Sequence, residues 1–309
     1  MGTPEFAAHS LQVLVKKNYK VAGVVTVPDK PAGRGLVLQP SAVKQTALHY
    51  QLPLLQPEKL RDEQFLENIK SWDADVFVVV AFRMLPEAVW RMPRYGTFNL
   101  HASLLPQYRG AAPINWAVIN GETSTGLTTF FLDEKIDTGQ VILSETTDIG
   151  PEENAGQLHD RLMQSGAQLL YKTLDAIAAG NLQTFPQPQS ALLKPAPKIH
   201  KDTCRINWNN TASAIHNLVR GLSPYPTAFS ELKTSKGDHF PAKIYAVRYH
   251  LEAHELTTGT IVSDNKSFLH VACTDGFIAI EELQLAGKKR VAIKEFLLGF
   301  REITDCNFY

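Results

Sequence analysis

The first half of the chain alternates short β-branched runs with segments of helical pattern, and this alternation constrains the fold most. The runs at 21–25 and 76–80 carry no charged or polar side chain. Strands of this kind are typical of parallel sheets that are covered by helices on both faces. Between them, the patterns at 41–50 and 60–71 predict helices. We therefore predict a parallel α/β sheet.

A change of composition predicts a second domain. Prolines lie among Gln, Ser and Lys from 184 to 202, which excludes regular structure and predicts an extended linker. Short alternating strands with turn signals follow, together with one helix over 211–220. We expect a small OB-like β-barrel with an inserted helix. The predicted boundaries are 1–183 for the α/β domain, 184–202 for the linker and 203–309 for the barrel.

Local signals mark several element ends. Asn154 and Gln157 have the spacing of a capping box and predict a long helix that ends near Gly180. Gly221 is expected to end the helix of the barrel domain. The pair Asp275-Gly276 predicts a hairpin turn between two strands of the barrel.

Composition excludes several classes of protein. Three widely separated cysteines without a Cys-x-x-Cys pattern argue against a disulfide framework or a zinc site, and favour a reducing cytoplasm. The longest purely apolar run, 76–82, is too short to span a bilayer. Residues 1–183 carry 16 Lys and Arg against 19 Asp and Glu, and residues 184–309 carry 15 against 12. The mildly basic second half is compatible with a polyanionic partner, and equally with ordinary surface variation.

The clearest chemical signal lies in a predicted strand near residue 100. Asn99 and His101 are two residues apart, so their side chains share one face, while Phe98 and Leu100 point into the protein. Small residues and a proline follow, and we expect the two polar groups at a sheet edge rather than in the core. About one βα unit later comes the carboxylate of Asp137. An amide donor, an imidazole base and a carboxylate suit acyl chemistry.

Three pieces of chain extend this signal: Asn-x-His-x-Ser-Leu-Leu-Pro at 99–106, Arg-Gly-Ala-Ala-Pro-Ile at 109–114 and Asp-Thr-Gly at 137–139. Together they resemble the active-site signature of the formyltransferases that use 10-formyltetrahydrofolate. The resemblance covers essentially the whole chain and implies a Rossmann-like catalytic domain followed by the OB-like barrel. It requires no metal and no nucleophilic side chain.

The same resemblance implies roles for individual residues. Asn99 would donate to the formyl oxygen, and His101 would accept or relay a proton. Asp137 would hold the imidazole in the useful tautomer and favour its charged form. The folate co-substrate would bind at a turn formed by Ser103, Leu104, Leu105 and Pro106.

The acceptor is inferred from a loop at 28–35, which follows a predicted strand and carries Lys30 and Arg34. It resembles the loop by which some members of the family approach the acceptor end of initiator methionyl-tRNA, where cations would meet phosphates. A solvated surface turn is the alternative. A second candidate contact with tRNA is the cluster Lys288, Lys289 and Arg290 in the barrel domain. A charge run of this kind is usually a solvated turn.

The resemblance therefore implies formyl transfer to methionine on initiator tRNA, for translation initiation. Nothing in the sequence demands more than a monomer, and the cysteine usage favours the cytoplasm. Three alternatives stay open. A formyltransferase acting on an amino-sugar nucleotide is disfavoured by the Pro-Ala-Gly-Arg-Gly loop at 31–35. A hydrolase that passes the formyl group to water would carry a regulatory domain ahead of the catalytic one, for which this chain has no room. A non-catalytic RNA-binding protein is disfavoured by the intact Asn-His-Asp set.

The start of the chain departs from the family pattern. Thr3 and Pro4 predict an N-cap and the first helical position, so a helix begins almost at residue 1. In the family, Met-Gly-Thr-Pro-Glu-Phe follows a short apolar strand that starts the parallel sheet. We therefore expect that the sequence is truncated and that Met1 is the last residue of that strand.

Overall fold

The computed structural model describes residues 1–32, 37–180, 182–189, 192–300 and 303–309. It divides into two compact units. The first comprises Met1–Pro113, Thr125–Thr147 and Asp160–Pro195, and the second comprises Ile114–Ser124, Asp148–His159 and Ala196–Tyr309. Each unit has its own apolar core. The domain boundaries given above stay a prediction.

The first half of the chain contains helices α1 to α6 and strands β1 to β8. The helices are α1 (Glu5–Lys16), α2 (Ala42–His49), α3 (Glu63–Ser71), α4 (Glu87–Trp90), α5 (Pro113–Ile119) and α6 (Ala155–Ala178). The strands are β1 (Val24–Val25), β2 (Lys30–Ala32), β3 (Val37–Gln39), β4 (Leu54–Leu55), β5 (Phe77–Val79), β6 (Thr97–His101), β7 (Ser124–Phe131) and β8 (Val141–Asp148).

The strands predicted from the β-branched runs pair in parallel. Strand β1 pairs in parallel with β4, and β5 pairs in parallel with β6. Strand β6 pairs on its other side with β7, and this pair is antiparallel. The four strands β5 to β8 lie side by side in chain order. The expected Rossmann-like architecture is confirmed, with an antiparallel pair added to it.

The main chain of Met1 and Gly2 forms hydrogen bonds with strand β1 and with residues in and next to strand β5. The N–H of Gly2 donates to Val25 O at 3.1 Å, and the N–H of Val80 donates to Met1 O at 2.9 Å. The buried α-amino group of Met1 lies 2.6 Å from Val78 O, and burial lowers its pKa to about 5. The expected missing strand stays a prediction.

Capping side chains decide where two helices begin. The Oδ1 of Asp62 accepts the N–H of Phe65 at 3.0 Å, so α3 begins three residues later than the periodicity predicts. Asn154 and Gln157 each accept the other's N–H, at 2.9 and 3.0 Å, which confirms the capping box of α6. Gly180, with φ of 71°, follows the end of this helix.

The second half of the chain forms an antiparallel barrel. It contains helices α7 (Ala212–Leu222) and α8 (Ile293–Gly299), with strands β9 (Ala228–Lys233), β10 (His239–Leu251), β11 (Ile261–Ser263), β12 (Leu269–Cys273), β13 (Gly276–Leu285), β14 (Val291–Ala292) and β15 (Asn307–Phe308). The strand order is β11-β12-β13-β10-β9-β15, with β14 added to β13. A bridge between Thr260 and Asn307 joins the two ends of this sheet. The expected barrel architecture is confirmed. The hairpin predicted at Asp275-Gly276 is present, but its turn residues are Thr274 and Asp275, since Gly276 already pairs with Cys273 as the first residue of β13.

Helix α7 does not end at Gly221 as predicted, because this glycine serves a different purpose. The helix continues to Leu222. A Cβ at position 221 would lie 2.9 Å from the backbone nitrogen of Ile119 and 3.2 Å from the carbonyl oxygen of Asn115. Glycine is needed here for close packing of the backbone rather than for a left-handed helix end.

Three kinds of feature are not found in the described part of the chain. The thiols of Cys204, Cys273 and Cys306 are buried and free of disulfides. Within the ranges given above, no group of three or more His, Cys, Asp or Glu side chains is arranged to hold a metal ion. None of the helices in those ranges combines the length and the apolarity that a membrane crossing needs.

The pH dependence of stability is predicted to include a contribution from His216 in the second unit. Its ring is buried, and this burial lowers its pKa, although Glu152 at 3.3 Å opposes the shift. The unfolded chain therefore binds a proton at a higher pH than the folded chain does. Stability should fall as pH decreases through about 6.5, with a slope of at most about 1.4 kcal/mol per pH unit. Urea unfolding between pH 5 and 8 measures how the free energy of unfolding depends on pH. The variant His216→Gln should lack the contribution of His216 to this slope. An unchanged slope in the variant would contradict the prediction.

Candidate active site

Strand β6 presents two polar side chains on one face, as the alternation predicts. Phe98 and Leu100 are buried in the core, while Asn99 and His101 share the other face. His101 is only 6% exposed. The expectation that both polar groups lie at a sheet edge is wrong, because β6 is an inner strand: Asn99 pairs with Val79 and Phe130, and His101 pairs with Thr128.

Both ring nitrogens of His101 face hydrogen-bond acceptors. Nε2 lies 2.8 Å from the carbonyl oxygen of Tyr108, and since a carbonyl oxygen only accepts, Nε2 carries the proton of this bond. Nδ1 lies 4.0 Å from Asp137 Oδ2. In the neutral ring the lone pair is therefore on Nδ1, where the carboxylate can stabilise a captured proton. In this geometry the main chain of Tyr108 sets the tautomer.

The carboxamide of Asn99 retains hydrogen-bonding capacity. Its oxygen is buried and has no hydrogen-bond partner among the described residues. A buried polar atom left unpaired costs about 1–3 kcal/mol. Such an atom beside a histidine and a carboxylate indicates a group that engages a ligand.

Asp137 is positioned through both its side chain and its backbone. Its Oδ2 accepts the N–H of Gly110 at 3.0 Å, and its side chain is 13% exposed. Its φ of 55° lies in the left-handed region, which Asp adopts more readily than most residues. A Cβ at Gly139 would lie 1.7 Å from Phe131 O, so only glycine fits there. In the Asp-Thr-Gly sequence, Asp137 supplies the carboxylate and Gly139 allows the close backbone approach that the turn requires.

The Ser103–Pro106 turn is held by its own hydrogen bonds and by β7. Ser103 Oγ donates to Gln107 O at 2.7 Å. Thr128 Oγ1 donates to Ser103 O at 2.7 Å and accepts the N–H of Leu105 at 3.2 Å. The proton of the Ser103 hydroxyl is therefore used in a hydrogen bond within the turn itself. The turn's role in binding a ligand stays a prediction.

Part of the predicted linker, the segment Phe185–Lys194, of which the structure describes 185–189 and 192–194, makes hydrogen bonds to this region. Phe185 and Val141 exchange two main-chain hydrogen bonds of 2.8 and 2.9 Å, and the N–H of Tyr108 donates to Lys194 O at 2.7 Å. Between these points, the side chain of Gln187 reaches the turn that carries Asp137. The proline-rich composition gave no signal for this role.

The loop proposed to approach a nucleic acid is anchored at its base. Lys30 is exposed on β2, which forms a hairpin with β3. Arg34 lies outside the described residues. Asp29 accepts from Lys44 Nζ at 2.6 Å and from Gln56 Nε2 at 2.8 Å, and these contacts, with Lys44 the largest, lower the pKa of its carboxyl.

The three cations at 288–290 belong to the second unit and differ in availability. Arg290 pairs with Glu282 and lies over the ring of Tyr245, at 4.3 Å from its centroid. Lys288 and Lys289 are exposed, and neither forms an ion pair with a residue that the structure describes. Of the predicted cluster, these two lysines are the cations available to a partner.

Family models match both halves of the chain. One described as "Formyl transferase" matches residues 1–174, and one described as "Formyl transferase, C-terminal domain" matches residues 198–301. The first of these stretches contains Asn99, His101 and Asp137, with His101 on the same face of β6 as Asn99 and 4.0 Å from Asp137.

Individual proteins give a more specific likeness. The chain is 55% identical to the methionyl-tRNA formyltransferase of Bacteroides fragilis, over 97% of this chain and 94% of the relative. It is 51% identical to the methionyl-tRNA formyltransferase of Flavobacterium johnsoniae, over 100% of this chain and 98% of the relative. A solved N-formyltransferase from Helicobacter canadensis, in complex with folinic acid and dTDP-3-aminofucose, superposes with a TM-score of 0.62 at 19% identity. That match covers 94% of this chain and 97% of the other. At that identity the last likeness shows the fold alone.

Proposed function

The chain belongs to the formyl transferase family, and on that premise we propose that it transfers the formyl group of 10-formyltetrahydrofolate to the α-amino group of methionine on initiator tRNA. The observation that carries the proposal is the 55% identity, over nearly the full length, to a relative named for this activity. The reaction belongs to translation initiation. The monomeric state and the cytoplasmic location stay predictions from the sequence.

The proton must move from one substrate to the other. The amine nitrogen attacks the formyl carbon, the bond from that carbon to the folate nitrogen breaks, the amine loses one proton and the folate nitrogen gains one. His101 is the base that we assign to this transfer, because the lone pair of its neutral ring is on Nδ1. Asp137, 4.0 Å from Nδ1, stabilises the imidazolium formed on the way.

The formyl oxygen becomes negative as the amine attacks. We assign its stabilisation to the carboxamide of Asn99, which lies on the same face of β6 as His101. The buried oxygen of the same carboxamide is unpaired within the described part of the chain, and because an amide oxygen can only accept, it fits an N–H donor of the substrates such as the attacking amine. The Ser103–Pro106 turn is the proposed contact with the folate itself.

One assay with three acceptors tests the proposal. Labelled 10-formyltetrahydrofolate is offered in turn with methionyl initiator tRNA, with an amino-sugar nucleotide and with water alone. We expect label on the methionine and none on the sugar, with release to water at the uncatalysed rate. Transfer only to the sugar, or only to water, would overturn the proposed acceptor.

The exposed cations should contribute to the use of tRNA in a salt-dependent way. In Lys288→Ala/Lys289→Ala and in Arg34→Ala, we expect KM for tRNA to rise while KM for the folate stays unchanged. Each lost phosphate contact should reduce the slope of log affinity against log salt by about 1. Lys236→Ala removes an exposed charge elsewhere in the second unit and serves as the matched control. An equal rise in KM for the folate would show that the substituted residues belong to the folate site.

A further inference from the structure

Gln187 lies in the segment Phe185–Lys194 and contacts the turn of the catalytic carboxylate. Its Nε2 donates to the carbonyl oxygens of Asp137 and Gly139, at 2.9 Å in each case. Its Oε1 accepts from Arg109, including a bond of 3.1 Å from Nε. Both N–H groups and both lone pairs of the amide are therefore used.

The pattern of bonds fixes the orientation of this amide. The guanidinium of Arg109 can only donate, so it selects the oxygen end of Gln187. The carbonyls of Asp137 and Gly139 can only accept, so they select the nitrogen end. A flipped amide would place its oxygen against two carbonyl oxygens. Gln187 consequently holds the turn in one arrangement.

The turn is one that benefits from external support. Asp137 has a φ of 55°, a conformation that costs a non-glycine residue energy and persists where surrounding contacts impose it. The side-chain contact of Asp137 with the Gly110 N–H orients the carboxylate, but it does not restrain the carbonyl of Asp137. The amide of Gln187 supplies that restraint from the other end of the residue.

We propose, resting on the proposed function, that Gln187 is a positioning residue that holds the Asp137 carboxylate at its working distance from His101. It acts through its two N–H donors to the main chain of the turn and does not contact the reacting atoms. Its effect on catalysis therefore passes entirely through Asp137.

Gln187→Glu separates this role from a merely structural one. The variant keeps the size of the side chain and an acceptor for Arg109, but it has no N–H to offer to the Asp137 and Gly139 carbonyls. We expect kcat to fall roughly 10–100-fold with little change in either KM, as a misplacement of up to about 1 Å would produce. The kcat of Gln187→Ala should fall by a factor in the same range. If tethering of the segment through Arg109 were its whole role, Gln187→Glu would keep full kcat.

Gln107→Ala is the matched control. The Gln107 side chain tethers the same segment, through the carbonyl of Leu192 at 3.1 Å and the N–H of Lys194 at 2.8 Å, and it does not contact the Asp137 turn. We expect its kcat to stay within about twofold of the unmodified protein, well short of the loss assigned to a misplaced catalytic group. A loss equal to that of Gln187→Ala would assign the effect to the segment as a whole and overturn the proposal.

A double-mutant cycle with Asp137→Ala provides the decisive measurement. If Gln187 acts only through Asp137, adding Gln187→Glu to Asp137→Ala should cost no further kcat. A multiplied loss would overturn the proposal. A second readout needs no substrate: at fixed pH, ¹⁵N chemical shifts of the His101 ring should move in the same sense in Gln187→Glu as in Asp137→Ala. Unmoved shifts would also overturn it. Failure of the unmodified protein to formylate methionyl-tRNA would instead overturn the proposed function.

Discussion

Replacing His101 with alanine is expected to lower kcat for formyl transfer roughly 10²–10⁴-fold, the range typical of a general base. The substitution removes the nitrogen to which we assign capture of the amine proton, and it leaves the Asp137 carboxylate without the imidazole that lies 4.0 Å away. Single-turnover kinetics with saturating folate and methionyl-tRNA measure the loss at the chemical step. KM values should change little, because the ring is only 6% exposed and offers little surface to either substrate.

The control for this variant is His49→Ala, which removes an exposed histidine from α2 of the same unit. Its kcat should match that of the unmodified protein. Circular dichroism and thermal unfolding establish that both variants are folded. A folded His101→Ala protein with near-normal turnover would remove His101 from the mechanism.

Replacing Asn99 with alanine should lower kcat about 10²–10³-fold, as loss of an oxyanion donor does in other acyl-transfer sites. The main-chain pairing of Asn99 with Val79 and Phe130 remains in the variant, so β6 should keep its place. The loss should appear in kcat rather than in KM, because the interaction strengthens as charge develops on the formyl oxygen.

Asn99→Asp provides the sharper comparison. Aspartate has the size of asparagine, but it has no N–H donor and carries a negative charge toward the developing oxyanion. We expect it to lose at least as much kcat as Asn99→Ala. If Asn99→Asp kept most of the kcat of the unmodified protein, the donor role would be wrong and Asn99 would serve only to fill space.

The strands and the shared face of Asn99 and His101 could be predicted because side-chain identity determines them. A continuous apolar run such as 76–80 indicates a strand that is buried on both faces. The alternation of side chains along a strand places Asn99 and His101 on the same face. The capping box of Asn154 and Gln157 is likewise a property of two side chains at a fixed spacing. Each of these predictions needs only local sequence.

The supports of the site could not be predicted, because main-chain atoms make most of them. The carbonyl of Tyr108 sets the His101 tautomer, and the N–H of Gly110 orients Asp137. Every residue carries a carbonyl and all but proline carry an N–H, so the sequence does not distinguish those that act. The sheet-edge position was mispredicted for a related reason, since the strand β7 that pairs with β6 lies more than 20 residues away in the chain.

The way in which Phe185–Lys194 is attached has a consequence for how this stretch can drift during evolution. Its bonds at Phe185 and Lys194 use main-chain atoms of the segment, which any replacement other than proline can provide at the N–H positions. The composition at 185–189 and 192–194 can therefore change toward that of an unconstrained spacer while these main-chain contacts are kept. The exception is position 187, where the amide itself makes the contacts. A comparison of lineages should find one retained glutamine in a stretch of otherwise changing sequence.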